Sequence, residues 1–329
     1  MKAVSYTAFG PASDVLELCD LPTPEPAAGE VLVRVTLSGV NPSDVKARAG
    51  NRPGVTKPAF PRIVPCSDGA GVIEAVGVGV DPARVGQRVW LWNGQWQRAF
   101  GTSAEYIALP SEQAVALPKG VSDEVGAVMG IPGLTAVYTV LGAGPVAGKT
   151  VLVSGGAGMV GHLAVQVAKA SGAKVIATCA PAKANIARAC GADAVLDYKA
   201  PDLAQQIIAA NGGKLINHAV ELEFGVNVNM LAEVMASNSR IAAYGSAQVP
   251  SPQVPFLNMM FKAITLEMAL VYILTPEQRS KAVADVTRLL QDGALVPRIA
   301  PVFAMADAAK AHEAVEQNAR DGAVLVRMS

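Results

Sequence analysis

The residues best placed to do chemistry in this chain are glycines. Gly156-Ala157-Gly158-Met159-Val160-Gly161 forms a G-x-G-x-x-G series. It follows an apolar, strand-like run from Thr150 to Ser154 and opens a helix-like segment near Val160. In that setting the glycines permit a tight turn, close approach of backbone to a pyrophosphate, and close packing of helix on strand. The helix N-terminus offers free N–H groups and the positive end of its dipole to phosphates. Gly156, Gly158, Met159, Val160 and Gly161 are therefore expected to contact a dinucleotide. The bland alternative is a packing turn whose glycines are incidental.

The next strand, Lys174 to Cys179, reports which dinucleotide binds. Sites for NAD place Asp or Glu near its end to accept from the ribose 2′-hydroxyl. Here the chain reads Thr178-Cys179-Ala180-Pro181-Ala182-Lys183, with no acid before Asp193. A missing carboxylate and a nearby lysine suit a 2′-phosphate, so NADPH is the expected cofactor, with Thr178, Ala180 and Lys183 at its phosphate end. Lys183 as a solvated first-turn residue is the alternative.

Other reactive side chains are sparse. Cys19, Cys66, Cys179 and Cys190 have neither CxxC spacing nor a neighbouring histidine in sequence, and read as small buried residues of a reducing compartment. His218 and His312 read as structural, and His162 as a packing or solvated residue rather than a phosphate ligand. Trp90 and Trp92 share a strand face, so that with Trp96 one is expected in the core and another could wall a flat pocket.

The elements that must hold these residues fall into two textures. The first 125 or so residues are rich in Gly and Pro with short β-like runs: Val31 to Leu37, Gly71 to Val76, Arg88 to Leu91 and Ala104 to Leu109. No helix-period segment of good length appears before about Glu124. From Thr150 the chain alternates apolar strand and helix, the mark of a parallel sheet covered on both faces. The fold class is α/β, a Rossmann parallel sheet domain plus a mostly β domain. At 329 residues two domains are expected. They are drawn as 1–125 with 275–329, and 126–274. Lys plus Arg equals Asp plus Glu at 27 each, which gives no footing for nucleic acid or an anionic membrane. The start MKAVSYTAFG lacks a signal-peptide core, and no apolar stretch approaches membrane-spanning length. A cytoplasmic protein is expected. The apolar run Ala263 to Leu274 reads as an exposed edge strand, which implies a homodimer or tetramer.

The GVNPSD segment, the central G-x-G-x-x-G and the AAKAHEAV helix together resemble the medium-chain dehydrogenase/reductase superfamily. Within it the chain is similar to the zinc-free quinone oxidoreductase, or zeta-crystallin, family, and Gln166 and Lys169 match its spacing after the glycine turn. The resemblance implies a GroES-like substrate domain and several site residues. Asn41 would lie beside the nicotinamide ribose, or else form an Asx turn before Pro42. Thr135 and Tyr138 would lie under the nicotinamide, with a helix-core reading of Tyr138 equally open. Tyr198 would approach the adenosine phosphate, or else be a strand-end aromatic. Tyr244, Gly245 and Ser246 would meet the cofactor at a strand end, and Val271 and Tyr272 the nicotinamide. Lys46 and Arg52 stand where the family often has tyrosines, and could bring positive charge to a substrate or extend into solvent.

Zinc-dependent relatives carry a Cys and a Gly-His-Glu where this chain has Val40-Asn41-Pro42-Ser43-Asp44 and Pro65-Cys66-Ser67-Asp68-Gly69. Cys66, Asp68 and Asp44 make at most an odd set for a metal that wants three ligands, so none is expected. Without a Lewis acid, hydride transfer favours acceptors that are already activated. The expected activity is NADPH-dependent reduction of quinones or α,β-unsaturated carbonyls. The rivals are an enoyl-thioester or haloalkenoate reductase, and a non-enzymatic dinucleotide-binding structural or regulatory protein.

Overall fold

The computed structural model describes residues 1–51, 54–317 and 320–328. The chain divides into two compact units, Met1–Ile131 with Pro297–Ser329, and Pro132–Val296.

The first unit is built on strands β1 (Lys2–Ser5), β2 (Glu17–Asp20), β3 (Glu30–Val40), β4 (Asp68–Val76), β5 (Arg88–Leu91), β6 (Tyr106–Pro110) and β7 (Ala114–Ala116). β3 is its axis, pairing antiparallel with β4, with β6 and with the tail strand Val324–Arg327. Val31, Val33 and Val35 alternate with Arg34 and Thr36 along β3, so one face is apolar. That face packs with Ile73, Leu91, Ile107 and Leu109, and with Ala311 and Val315 of the tail helix Ala308–Glu316. Arg48 is fully buried, and its guanidinium donates to the Gly10 carbonyl and to the Glu316 carboxylate. A buried cation is tolerated when paired in this way.

Short helices do precede Glu124, at Ala12–Val15 and Pro42–Arg48. Two turns are too short to show a 3.6-residue period. The second is started by chemistry rather than by pattern, because Pro42 occupies its first turn and the Asn41 N–H donates to Asp44 Oδ2 at 2.8 Å.

The second unit holds β8 (Thr150–Ser154), β9 (Lys174–Cys179), β10 (Ala194–Asp197), β11 (Ile216–Glu221), β12 (Met235–Ala243) and β13 (Thr265–Met268), all parallel, in the order β10-β9-β8-β11-β12-β13. The order reverses between β8 and β11, and the carboxyl ends of all six strands share one edge. A ligand of a doubly wound sheet sits there. β8 is buried throughout, and Leu152, Ile176, Ala219 and Ile241 from neighbouring strands share one core cluster.

Two boundaries differ from the sequence reading. The compact units divide after Ile131 and after Val296 rather than at 125/126 and 274/275. The helix Pro276–Gln291 packs on the helix Leu134–Leu141, where Gln278 Nε2 donates to the Tyr138 hydroxyl at 3.0 Å and Lys281 Nζ to the Leu141 carbonyl at 3.3 Å. The edge strand expected over 263–274 is only β13, and Val271–Ile273 forms a 3₁₀ turn. Buried Arg279 donates to the Val271 carbonyl, drawing the chain off the sheet edge.

Candidate functional site

The glycine turn sits at the carboxyl end of β8. The left-handed residue is Gly155, at φ +70°, one position before the series read from the sequence. The Gly156 N–H donates to the Thr178 carbonyl at 2.9 Å, tying the turn to β9. A Cβ on Gly156 would lie 2.7 Å from Ala177 Cβ, and one on Gly161 would lie 2.2 Å from the Gly155 carbonyl oxygen. Both are glycines because strand, turn and helix touch. Gly158 differs: a Cβ there would meet only the Gly155 oxygen, at 3.3 Å. Internal packing presses on position 158 less than on 156 or 161, and the missing Cβ leaves the backbone there open to a ligand.

Gly158 is the N-cap of the helix Met159–Ala170, and no side chain caps that end. Helix geometry therefore leaves the N–H groups of Met159, Val160 and Gly161 without intrahelical partners. Free N–H groups, an aligned dipole and a missing Cβ fit a dinucleotide pyrophosphate.

Around this turn the neighbouring strand ends bring other expected residues. Thr178 is buried, Ala180 half-buried, and Lys183 exposed at the end of the 3₁₀ turn Pro181–Lys183. Burial, helped by the Asp197 charge, pushes the Cys179 thiol up against the pull of the nearby cations Arg188 and Lys183. Arg188 was not singled out from the sequence, although it lies on the short helix that Lys183 begins. Tyr198 is half exposed beyond β10, with Lys199 Nζ 5.5 Å from its ring centroid.

Beyond β12, the Tyr244 N–H donates to the Glu221 carbonyl at 2.9 Å, and burial with the Glu221 charge pushes the Tyr244 phenol up. A Cβ on Gly245 would lie 2.3 Å from the Leu222 carbonyl oxygen. Ser246 Oγ accepts from the Gly225 N–H at 2.9 Å and donates to the Val249 carbonyl at 2.6 Å, so its proton serves the loop. Glu221 is fully buried at the end of β11, where the Glu223 N–H and Asn227 amide share one oxygen and the other has no partner. Burial raises its pKa. The only signal for it in sequence was an acid ending an apolar strand. Thr135 and Tyr138 are both buried, and the Tyr138 phenol, pushed up to about 12 by burial and Glu267, belongs to the helix core. Val271 is buried and Tyr272 half-buried in the 3₁₀ turn after β13.

In the first unit, Asn41 Nδ2 donates to Asp68 Oδ2 at 2.7 Å, and both residues are buried. Burial and the Asp44 charge hold the Asp68 carboxyl well above the usual carboxylate range. Lys46 is exposed on the helix that Asn41 begins, and Arg52 lies outside the described residues. Among the described residues no three His, Cys, Asp or Glu side chains gather where they could hold a metal ion. Trp90 is buried in β5, whereas Trp92 lies past its end, buried, with Nε1 donating to the Glu112 carbonyl at 3.2 Å. His218 Nε2 meets the Thr139 carbonyl at 2.7 Å, as a structural histidine would.

Comparison with known proteins places this geometry. A family model described as an alcohol dehydrogenase GroES-like domain matches residues 27–119, and one described as a zinc-binding dehydrogenase matches 159–288. A quinone oxidoreductase of Sus scrofa is 31% identical over 316 residues, covering 95% of this chain and 93% of the relative. One from Pseudomonas aeruginosa is also 31% identical, covering 94% of each. The chain belongs to the quinone oxidoreductase family. Membership makes it an oxidoreductase of the medium-chain dehydrogenase/reductase superfamily, as the glycine turn and the GVNPSD segment implied. A mycobacterial quinone oxidoreductase matches with a TM-score of 0.86 and 30% identity over 99% of both chains. The Escherichia coli quinone oxidoreductase complexed with NADPH matches at 0.84 and 25%, over 99% of this chain and all of the other. No helix among the described residues is long and apolar enough to cross a membrane.

Proposed function

We propose that this protein is an NADPH-dependent reductase that passes hydride to quinones or activated α,β-unsaturated carbonyls without zinc. The observation that carries the reading is the uncapped helix end at Gly158, beside a β9 end followed by Lys183 and Arg188, the nearby carboxylate being Asp197 on the neighbouring β10 rather than one on the β9 turn itself. Solved relatives from Escherichia coli and a mycobacterium are described as NADPH complexes. NADPH, when bound, supplies the hydride.

The chain's own residues bind and orient. The N–H groups of Met159, Val160 and Gly161 hold the pyrophosphate, and Lys183 meets the 2′-phosphate. Thr135, Thr178, Ala180, Tyr198, Tyr244, Gly245, Val271 and Tyr272 line the remainder of the cofactor. Asn41, fixed by its Nδ2 bond to Asp68 and by the capping box it forms with Asp44, is the residue that orients a ribose or substrate hydroxyl in this reading. Lys46, exposed on its helix, is the candidate among the described residues for positive charge offered to a substrate. Among the described residues no donor set fits zinc, and Asp68 is engaged by the Asn41 amide. Catalysis then rests on positioning donor and acceptor, with a hydroxyl or water returning the proton. The first unit serves as the substrate domain of a cytoplasmic homodimer or tetramer, joined through the exposed edge at β13.

The test is NADPH oxidation across a panel of quinones, enones and enoyl thioesters, with metal analysis of the same sample. Turnover of quinones or enones by a zinc-free protein is expected. NADPH binding with no turnover on any acceptor would leave a non-enzymatic binding protein, and activity confined to thioesters would move the substrate class.

A further inference from the structure

His162 and Cys190 meet in the second unit through groups that cofactor binding does not use. The His162 imidazole is buried, and its Nε2 lies 2.9 Å from the Val296 carbonyl oxygen. In the tautomer that protonates Nε2 the Val296 carbonyl accepts from it, and Gln166 Nε2 lies 3.0 Å from the same ring nitrogen. Gln166 fixes that carbonyl by clasping both sides of Val296. Its Nε2 donates to the oxygen at 3.0 Å, and its Oε1 accepts the Val296 N–H at 2.8 Å. In the neutral ring Nδ1 is then the lone-pair nitrogen, and Cys190 Sγ lies 2.7 Å from it. Cys190 is half-buried at the C-cap of the helix Ala184–Ala189, and its sulfur also lies 3.0 Å from the Ile186 carbonyl, which holds the group as a thiol at rest. A nucleophile, a base within reach and a third group that orients the base make an activated-nucleophile arrangement.

We infer that Cys190 is a covalent modification site for electron-poor alkenes, the class that includes quinones and enones, with His162 as the base that activates it. The thiol proton passes to His162 Nδ1 as the sulfur electron pair forms a bond to the β-carbon of the alkene. The π bond breaks, its electron pair moves onto the conjugated carbonyl, and the imidazolium returns the proton to give the saturated thioether. Nothing is oxidised and nothing leaves. The inference goes beyond the proposed reductase activity and does not rest on it.

Cys19 provides an internal reference. It is also half-buried, and it faces Ser5 Oγ at 3.2 Å and the Arg62 guanidinium. Cys66 and Cys179 are buried, and burial raises both thiols. The intact protein, with no dinucleotide present, is treated with limiting N-ethylmaleimide, and the adduct on each cysteine is followed by peptide mass spectrometry. Cys190 should react at least about tenfold faster than Cys19. His162→Asn should slow Cys190 by about tenfold or more and leave Cys19 unchanged, in line with the contribution of a positioned base. Equal rates for the two cysteines in the native protein would overturn the assignment even if the variant fails to fold. So would a Cys190 rate indifferent to loss of the imidazole. Because no cofactor or turnover enters the readout, failure here leaves the reductase reading untouched, and the reverse also holds.

Discussion

Two alanines in the glycine turn should separate fold from binding. At Gly161 the new Cβ would sit 2.2 Å from the Gly155 carbonyl oxygen and 2.7 Å from its carbon, both backbone atoms that no rotamer change can move. Ordinary carbon–oxygen contact begins near about 3.3 Å, so the turn must open by about 1 Å. Phosphate bonds near 2.9 Å would then no longer be hydrogen bonds. Each bond to a charged group contributes about 1.5–3 kcal/mol. Losing two weakens NADPH by about 3–6 kcal/mol, or roughly 10²- to 10⁴-fold in Kd. Overpacking should also cost about 1–3 kcal/mol of stability. At Gly158 the single contact, 3.3 Å to a backbone oxygen, asks the empty turn to give by a few tenths of an ångström, so alanine should change stability by about 1 kcal/mol or less. Its methyl group nevertheless points where a pyrophosphate would lie, and NADPH should weaken more than about tenfold. Thermal melts and NADPH titration of both variants decide the matter. A Gly158→Ala protein that binds NADPH as before, or a Gly161→Ala protein as stable and as tight-binding as the parent, would refute the reasoning.

Lys183→Ala should weaken NADPH roughly tenfold or more and leave NADH nearly unchanged, as expected for one charge-assisted contact. Equal losses in the two titrations would show that Lys183 does not read the 2′-phosphate. Met268 is 67% exposed at the edge strand β13, so Met268→Lys should shift a dimer toward monomer in light scattering. A native protein already monomeric at micromolar concentration would contradict the proposed assembly. Burial lowers His218 from 6.5 to about 4, so the unfolded chain binds more protons between those values. Stability is therefore retained above pH 6.5 and lost as pH falls through the window toward 4, by on the order of 3 kcal/mol. His218→Gln should flatten acid melting over that range, and an unchanged slope would show that His218 is not its source.

What was legible in the sequence was local. Apolar strand runs followed by helices announce a parallel sheet, and glycine spacing after a strand marks the turn, because neighbouring residues alone determine those features. What escaped depended on contacts distant in sequence. The left-handed Gly155 precedes the series and is fixed by Leu222, whose Cδ2 would lie 1.9 Å from an added Cβ. Asp68 entered the sequence reading only as a poor zinc ligand, yet it is the partner of the Asn41 amide across 27 residues. The helix Pro276–Gln291 shows an apolar face but not which unit that face meets. The sequence suggests an edge strand as far as Leu274 because apolar residues persist after the chain has turned into its 3₁₀ segment. Lys183 is exposed and Ser246 is engaged by its own loop, so the two differ in how free they are to meet a ligand.

The discontinuous first unit has a consequence for the order in which the chain folds as it is made. Residues 132–296 form one uninterrupted stretch, so that unit has all of its strands once synthesis passes Val296. The first unit cannot finish until Arg327 is made, because Val324–Arg327 pairs with β3 and Arg48 waits for Glu316. At about 5–20 residues per second, the 198 residues from 132 to 329 take roughly 10–40 s to emerge. During that interval β3 has an open edge along Leu37 to Val40, and the cavity for Ala311 and Val315 is unfilled. The β3 edge of the first unit is therefore left open longer than any strand of the self-contained second sheet, and its exposure to mispairing is set by the time the intervening unit takes to be made.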